Sequence, residues 1–526
     1  MENKLGVMLD CSRNAVMKVS ALKDFIDDIC LMGYNTLMLY TEDTYEIPQE
    51  PLFGYLRGKY TVAQLKEIDS YCKARGVELI PCIQTLAHLN QIFKFRRFGE
   101  VSDCIDVLLV DDEKTYALID KMFSALAQAF TSREVHIGMD EAYWVGRGGH
   151  LDRFGHEKQK DILLRHLNKV VGIAEKYGFK PMIWSDMFLP MAKEDGIAPE
   201  DKAKIPENLS LVYWNYYSED YAKYCADMDR HKHFERNMWF AGGAWKWQGF
   251  HAGNLKTIET VTPALDACKE KGFHNVLMTM WGDDGNECPA RALLPALLYS
   301  AERYRGNTDL ESIKEKFRAL FGEEWDEFIL LDMRMDDFKK VETQVNGSKT
   351  MLYSDPFYGF FDLTVTGENA ESARYAEMAK KLEACKARNG KFGYIFESFI
   401  AFARLMSVKY DLGYRTRKYY ETKDLEKLGA LLSVYDKVVS YGEDFLGKFE
   451  RLWFTDNKPN GFEVQQLRLG GMIQRVKGCR TRLQAYVLGE VDCLEELDEK
   501  LVPMQETENG LPSWNGFRVS ATVNIF

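Results

Sequence analysis

The chain has 526 residues, 46% of them hydrophobic, with 68 Lys plus Arg against 80 Asp plus Glu and a formal net charge of −12. That length allows two or three domains with a sizeable core, and the acidic balance excludes a general nucleic-acid or anionic-membrane binder, which needs a basic surface. No run of about 18 apolar residues would span a bilayer, "MENKLGVMLD" contains no long apolar leader region, and the 11 scattered cysteines show no CxxC or metal-ligand spacing, so a cytoplasmic protein with reduced thiols and no membrane partner is expected.

From the start of the chain, buried-strand and helix patterns alternate. "KLGVMLD" reads as a short strand, "SALKDFIDDICLMG" as a helix stopped by Gly, and "YNTLMLYTED" as a strand. "VAQLKEIDSYCKARG" then "VELIPCIQ", "TYALIDKMFSALAQAF" then "REVHIGMDE", and "ILLRHLNKVVGIAEKYG" then "FKPMIWSD" repeat the rhythm. "NLSLVYWN", "RNMWFAGGA" and "FHNVLMTMWGDD" complete eight strand candidates. Their apolar runs are continuous, as parallel strands buried on both faces require. Eight such units in roughly 300 residues predict a (β/α)8 barrel over 1–307. A doubly wound open sheet is the alternative, weakened because no GxGxxG follows the first strand. Beyond Thr308 strand signals nearly vanish. "LESIKEKFRALFG", "EEWDEFILLDMRMDDFKKV", "ESARYAEMAKKLEACKARNG", "ESFIAFARLMSVKYDLGYRTRKYYE" and "EVQQLRLGGMIQRVKGCRTRLQAYVLG" carry helical periodicity. They predict a mainly α-helical C-terminal domain over 308–526. It is interrupted by the aromatic "YSDPFYGFFDL", read as interdomain packing, a site wall or a dimer contact. A helical domain of this size leaves room for a homodimer.

A (β/α)8 barrel builds its site at the C-terminal ends of its strands. The residues collected there are Asp10 and Arg13; Glu42 and Asp43; Gln84 and His88; His136, Asp140 and Glu141; Trp184 and Asp186; Trp214 with Asn215, Tyr216 and Tyr217; Trp245 and Trp247; and Trp281, Asp283 and Asp284. Carboxylates concentrate at one end, and tryptophans end four consecutive strands. Indole faces make flat apolar walls suited to the CH-rich face of a sugar, while carboxylates and Arg13 suit hydroxyls, which donate and accept hydrogen bonds. In "EVHIGMDEAYWVGRG" the adjacent acids Asp140 and Glu141 end a strand and precede a Gly-rich loop. A carboxyl near another carboxylate, or against an apolar wall, has a raised pKa. It can then donate a proton to a leaving oxygen while its neighbour stays ionised and steadies a developing positive charge, which is the logic of a glycosidase.

"HIGMDEA" resembles the His-x-Gly-x-Asp-Glu signature of glycoside hydrolase family 20, the β-N-acetylhexosaminidases. "LDCSRN", "GVELIPCIQTLAH", "IWSDMF" and "MWGDDGNECPARALLPALLYSAERY" resemble the same family in the same order, over most of residues 5–305. The resemblance implies an exo-acting retaining enzyme that releases terminal β-linked GlcNAc, or its C4 epimer GalNAc, without a cofactor or metal. By the same resemblance Glu141 is the general acid/base, and Asp140 orients the substrate's 2-acetamido group, whose own oxygen attacks the anomeric carbon. Arg13 and Asp283 bind ring hydroxyls; Trp184, Trp214 and Trp281, with Trp245, wall the pocket; His88 and His136 support the acid pair. The chain departs from the family in carrying Gln84 and "LAH" where many relatives have an acid and Pro-Gly-His, and in lacking Tyr-x-Asp on the seventh strand. Tyr216 is the expected substitute there. With the first strand near Leu5, a divergent branch lacking the family's preceding α/β domain is expected. Three alternatives stand beside this reading: a conventional double-displacement glycosidase with a carboxylate nucleophile, a barrel hydrolase whose metal is held by His88, His136, Asp140 and Glu141, and a catalytically inactive module that binds sugar without hydrolysing it.

Overall fold

The computed structural model of the chain describes residues 3–247, 249–333, 347–365 and 367–502. Eight parallel strands close into a barrel: β1 (Leu5–Asp10), β2 (Thr36–Tyr40), β3 (Glu78–Cys82), β4 (Glu134–His136), β5 (Lys180–Trp184), β6 (Ser210–Trp214), β7 (Asn237–Gly243) and β8 (Asn275–Met280). Each strand pairs with its neighbours in chain order, and β1 closes the ring, with Gly6 facing Leu277 of β8 and Thr36 of β2. Every residue of β1 and β2 is buried, as the continuous apolar runs require.

Helices α1 (Val19–Leu31), α2 (Val62–Lys73), α3 (Glu113–Ala129) and α4 (Gln159–Lys176) follow the first four strands, and α5 (Tyr221–Lys232), α6 (Asn254–Lys271) and α7 (Leu294–Tyr304) follow the last three. Local chemistry sets their starts. Thr61 and Gln64 form a capping box on α2, and the Asp112 and Asp220 carboxylates cap α3 and α5, each satisfying backbone N–H groups that have no partner within the helix. The fifth unit differs from the alternating rhythm. Between β5 and β6 the chain forms a 3-10 turn, a two-residue hairpin pair and the one-turn helix Pro199–Lys202. Pro190, Pro199, Pro206 and Gly196 interrupt any longer helix there.

The chain divides into two compact units. One comprises Met1–Trp245, Gly253–Trp281 and Ala296–Lys316; the other comprises Lys246–Ala252, Gly282–Pro295 and Phe317–Phe526. The helix α8 (Leu310–Phe321) straddles the last of these boundaries. The second unit carries α9 (Ala370–Ala384), α10 (Gly393–Lys409), α11 (Leu412–Glu421), α12 (Leu425–Asp456) and α13 (Phe462–Val487). The segment "YSDPFYGFFDL" is irregular, and within this unit its Phe357 and Phe361 are fully buried. Arg417 donates to the Phe357 carbonyl at 2.7 Å. Of the helix expected over "EEWDEFILLDMRMDDFKKV", only Trp325–Ile329 and a 3-10 turn form; residues 334–341 lie outside the described residues. Among the described residues, no helix is long and apolar enough to cross a membrane.

Candidate active site

β4 is only three residues long, and the chain leaves it through Gly138, Met139 and Glu141, all at positive φ. This irregular turn lets two adjacent acids reach one site. Gln84, just past β3, fixes it: its Oε1 accepts the Met139 N–H at 3.0 Å, and its Nε2 donates to Asp140 Oδ1 at 2.6 Å and to the Tyr40 hydroxyl at 2.8 Å. A Cβ on Gly138 would stand 2.1 Å from Gln84 Oε1, so only glycine admits this contact.

His88 joins the pair. Its Nε2 lies 3.3 Å from Asp140 Oδ2 and 3.7 Å from Glu141 Oε2. Burial opposes the imidazolium, but the Asp140 carboxylate outweighs it and raises His88 to about 9. Burial likewise opposes the Asp140 carboxylate, yet His88, Gln84 and Arg13 hold its pKa below the usual range. Glu141 moves the other way, raised by burial and then by Asp140. The Asp140 side chain is 10% exposed and that of Glu141 45% exposed. One carboxyl is thus sheltered with its pKa lowered, and the other meets solvent with its pKa raised.

Apart from Asp283, the remaining expected residues form a connected aromatic and cationic cluster. Arg13 lies 3.4 Å from both Asp10 Oδ2 and Glu42 Oε1, with its guanidinium over the rings of Tyr40 and Trp281. Trp281 contacts Trp184 at a ring separation of 5.9 Å, and Trp184 contacts His136 at 4.3 Å. His136 is fully buried and stays neutral, its pKa pushed down to about 3 by burial. Its Nδ1 accepts the Gly138 N–H, so it braces the turn from beneath. Trp184 is fully buried too, a floor more than a side wall. Trp214 stacks on Tyr216 at 5.3 Å, and Trp245 donates its indole N–H to the Tyr216 carbonyl at 3.0 Å. The Tyr216 hydroxyl is flanked by Trp281 and Thr279. Asp283 opens the 3-10 turn Asp283–Gly285, which groups with the second unit.

Two residues collected at strand ends without a role also enter this constellation. Asp186 accepts the Glu141 N–H on Oδ2 at 2.9 Å, and burial followed by the nearby Asp140 charge pushes it up to about 7. Glu42 accepts from the Tyr40 hydroxyl at 3.1 Å and faces both Arg13 and His88. Both ended predicted strands with a carboxylate, and that was the signal available for them. A separate group, Asp111, His150 and Glu157, brings donor atoms within 4.8 Å of one another. Arg165 already donates to both of its carboxylates at 2.8 Å and Lys169 donates to Asp111 at 3.0 Å, so its two negative charges are met by two cations of the chain.

A short strand thus leads into the adjacent acids, and its last residue, His136, packs against Trp184 of the next strand. The family model for the glycosyl hydrolase family 20 catalytic domain matches residues 5–271, about half of the 526-residue chain. The chain belongs to glycoside hydrolase family 20. A second model, the glycoside hydrolase 20C C-terminal domain, matches residues 326–513. Hexosaminidase D of Homo sapiens is 27% identical over 230 residues, 42% of this chain and 44% of that protein. Hexosaminidase D of Bos taurus is 25% identical over 309 residues, 56% of this chain and 82% of that protein. This family 20 chain thus spans less than half the length of its human relative. The crystal structure of the family 20 exo-β-N-acetylglucosaminidase of Vibrio harveyi aligns with a TM-score of 0.48 at 15% identity, covering 63% of this chain and 58% of that one.

Proposed function

We propose that this family 20 hydrolase is an exo-acting, retaining β-N-acetylhexosaminidase that removes terminal β-linked GlcNAc or GalNAc by substrate-assisted catalysis. The observation that carries the reading is the convergence of two adjacent acids on one histidine, with His88 Nε2 within 3.7 Å of both; their surroundings lower the pKa of Asp140 and raise that of Glu141. In the first step the acetamido oxygen bonds to the anomeric carbon as the bond from that carbon to the leaving oxygen breaks. Glu141 gives its proton to that oxygen, and the Asp140 carboxylate steadies the positive charge spreading over the acetamido group. In the second step Glu141, now a carboxylate, takes a proton from water. The water oxygen bonds to the anomeric carbon, the cyclic intermediate opens, and the configuration is retained. Gln84 and His88 keep Asp140 aimed, His136 supports the turn, Arg13 binds ring hydroxyls, and Trp184, Trp214, Tyr216, Trp245 and Trp281 enclose the sugar and its acetamido group. A pocket so walled favours a single end sugar over mid-chain cleavage.

Chromogenic β-GlcNAc, β-GalNAc and β-glucose substrates compared side by side test this. Turnover should require the acetamido group, and a thiazoline mimic of the cyclic intermediate should bind far more tightly than product. Glu141→Gln should lower kcat on a poor leaving group by about 100-fold or more. Equal turnover of the β-glucose substrate would overturn the substrate-assisted reading.

A further inference from the structure

The loop that carries the acid pair goes on to do something its length alone does not require. After Glu141 the chain buries Ala142, turns out Tyr143 and Trp144, and buries Val145. Tyr143 is 60% exposed and Trp144 55% exposed, the two most exposed aromatic side chains among the described residues. The two rings, consecutive in the chain and two and three residues past Glu141, form an exposed aromatic pair next to the acid. The loop's backbone is nonetheless pinned from several sides. Asp103 accepts the N–H groups of Gly146, Gly148 and His150 at 2.6, 3.1 and 2.9 Å. Gln159 donates to the carbonyls of Tyr143 and Val145, and the Cys104 thiol faces the Trp144 carbonyl. The rings are therefore presented by a fixed frame, and fixed rings lose little entropy on binding.

We infer that Tyr143 and Trp144 form a platform for the leaving saccharide, stacking the pyranose ring on the far side of the scissile bond from the terminal sugar. The inference rests on the glycosidase reading above and extends it to the leaving group. A general acid must lie between the sugar that is held and the group that departs, so residues flanking Glu141 on its solvent side meet the departing group. Trp184, Trp245 and Trp281, proposed above to wall the terminal sugar, are buried, whereas these two rings face solvent. The Tyr143 N–H donates to the Glu141 carbonyl at 2.6 Å, which ties the start of the platform to the acid's own backbone; burial and then the charges of Glu141, Asp186 and Asp140 raise the pKa of the Tyr143 hydroxyl. That hydroxyl gives the platform one hydrogen-bonding group for a sugar hydroxyl. Gln159, which holds the Tyr143 carbonyl, also lines a cleft of about 630 Å³ together with Met187, the neighbour of Asp186, while the two rings themselves lie outside its lining.

The test compares Tyr143→Ala, Trp144→Ala and the double variant on two kinds of substrate. One is a set of β-linked GlcNAc disaccharides with GlcNAc, galactose or mannose as the leaving sugar; the other is the β-fluoride of GlcNAc, which has no leaving ring. The ratio of disaccharide to fluoride kcat/KM should fall roughly tenfold for a single variant and further for the double. Trp144→Phe should recover most of the loss, and Tyr143→Phe should separate the hydroxyl from the ring. An unchanged ratio overturns the platform, whether both substrates lose activity equally or neither does. So does a wild-type enzyme that cleaves the fluoride and no disaccharide. A wild type that cleaves none of them, fluoride included, refutes the glycosidase reading instead.

Discussion

Asp140 and Glu141 are one bond apart in the chain and are driven in opposite directions by their partners. Burial raises both carboxyls; at Asp140 the imidazolium of His88 reverses the effect, and at Glu141 the charge of Asp140 reinforces it. His88 is therefore the hinge of the site's electrostatics. Its folded-state pKa, about 9, lies above the unfolded value of about 6.5. Its contribution to stability is thus fully present below about pH 6.5 and is lost as pH rises through about 9. His88→Ala leaves a sheltered carboxylate without its counter-charge and should cost about 3 kcal/mol near pH 6. Urea unfolding at about pH 6 and about pH 10 should show that gap shrinking at the alkaline end, and an equal gap at both would remove His88's charge from the account. In the kcat/KM profile the acidic limb reports Asp140 and the alkaline limb Glu141. Since His88 lowers both pKa values, both limbs should move to higher pH in the variant. Acid pair, histidines and indoles were legible in the sequence because each ends a strand whose direction is known once the barrel is. Asp186 and Glu42 had the same position in the pattern, but what gives them a role is invisible there: a hydrogen bond to the Glu141 backbone in one case, and contact with Arg13 beyond the neighbouring strand β1 in the other.

At the scale of elements, the turn after β4 decides whether the acids work together. Gly138 has φ +73°, and an added Cβ would stand 2.1 Å from Gln84 Oε1. Gly138→Ala should cost about 1–2 kcal/mol in backbone strain. It should also displace the amide that holds Asp140, lowering kcat/KM by about 100-fold while the circular dichroism spectrum stays barrel-like. Near-full activity in this variant would mean that Asp140 does not depend on Gln84. The eight strands were readable because parallel strands buried on both faces leave uninterrupted apolar runs. The missing fifth helix was marked by its prolines. The longest helix, α12, passed unread: Gly429, Gly442 and Gly447 dilute its pattern, although Leu428, Leu431, Tyr435, Val438, Phe445, Phe449 and Leu452 are its buried stripe. Gly442 has a packing reason, since its Cβ would stand 2.9 Å from Ile473 of α13. A contact between helices cannot be seen in either helix alone.

At the scale of the whole molecule, periodicity gave a barrel followed by helices, and the segments Lys246–Ala252 and Gly282–Pro295 escaped it. They follow β7 and β8 in the chain yet group with the second unit, because long-range packing and not local pattern decides membership. In that unit Glu287 pairs with Lys349 at 2.8 Å, both nearly inaccessible to solvent. The cysteines pose a question that spans both units. All 11 are free thiols, and Cys493 alone is exposed. Burial and then the surrounding acids Glu495, Asp498 and Asp492 raise its pKa, which keeps the thiolate scarce near neutrality. Ellman's reagent at about pH 8 should therefore label close to one thiol per native chain in the fast phase. Salt should accelerate that phase by screening the acids and enlarging the thiolate fraction. Denaturation without reductant should release all 11, and dithiothreitol should leave the thermal midpoint unmoved. A shortfall of two thiols in the denatured, unreduced chain would mean that a disulfide links a pair this fold keeps apart. A fast phase insensitive to salt would separate the Cys493 thiol from its acidic neighbours.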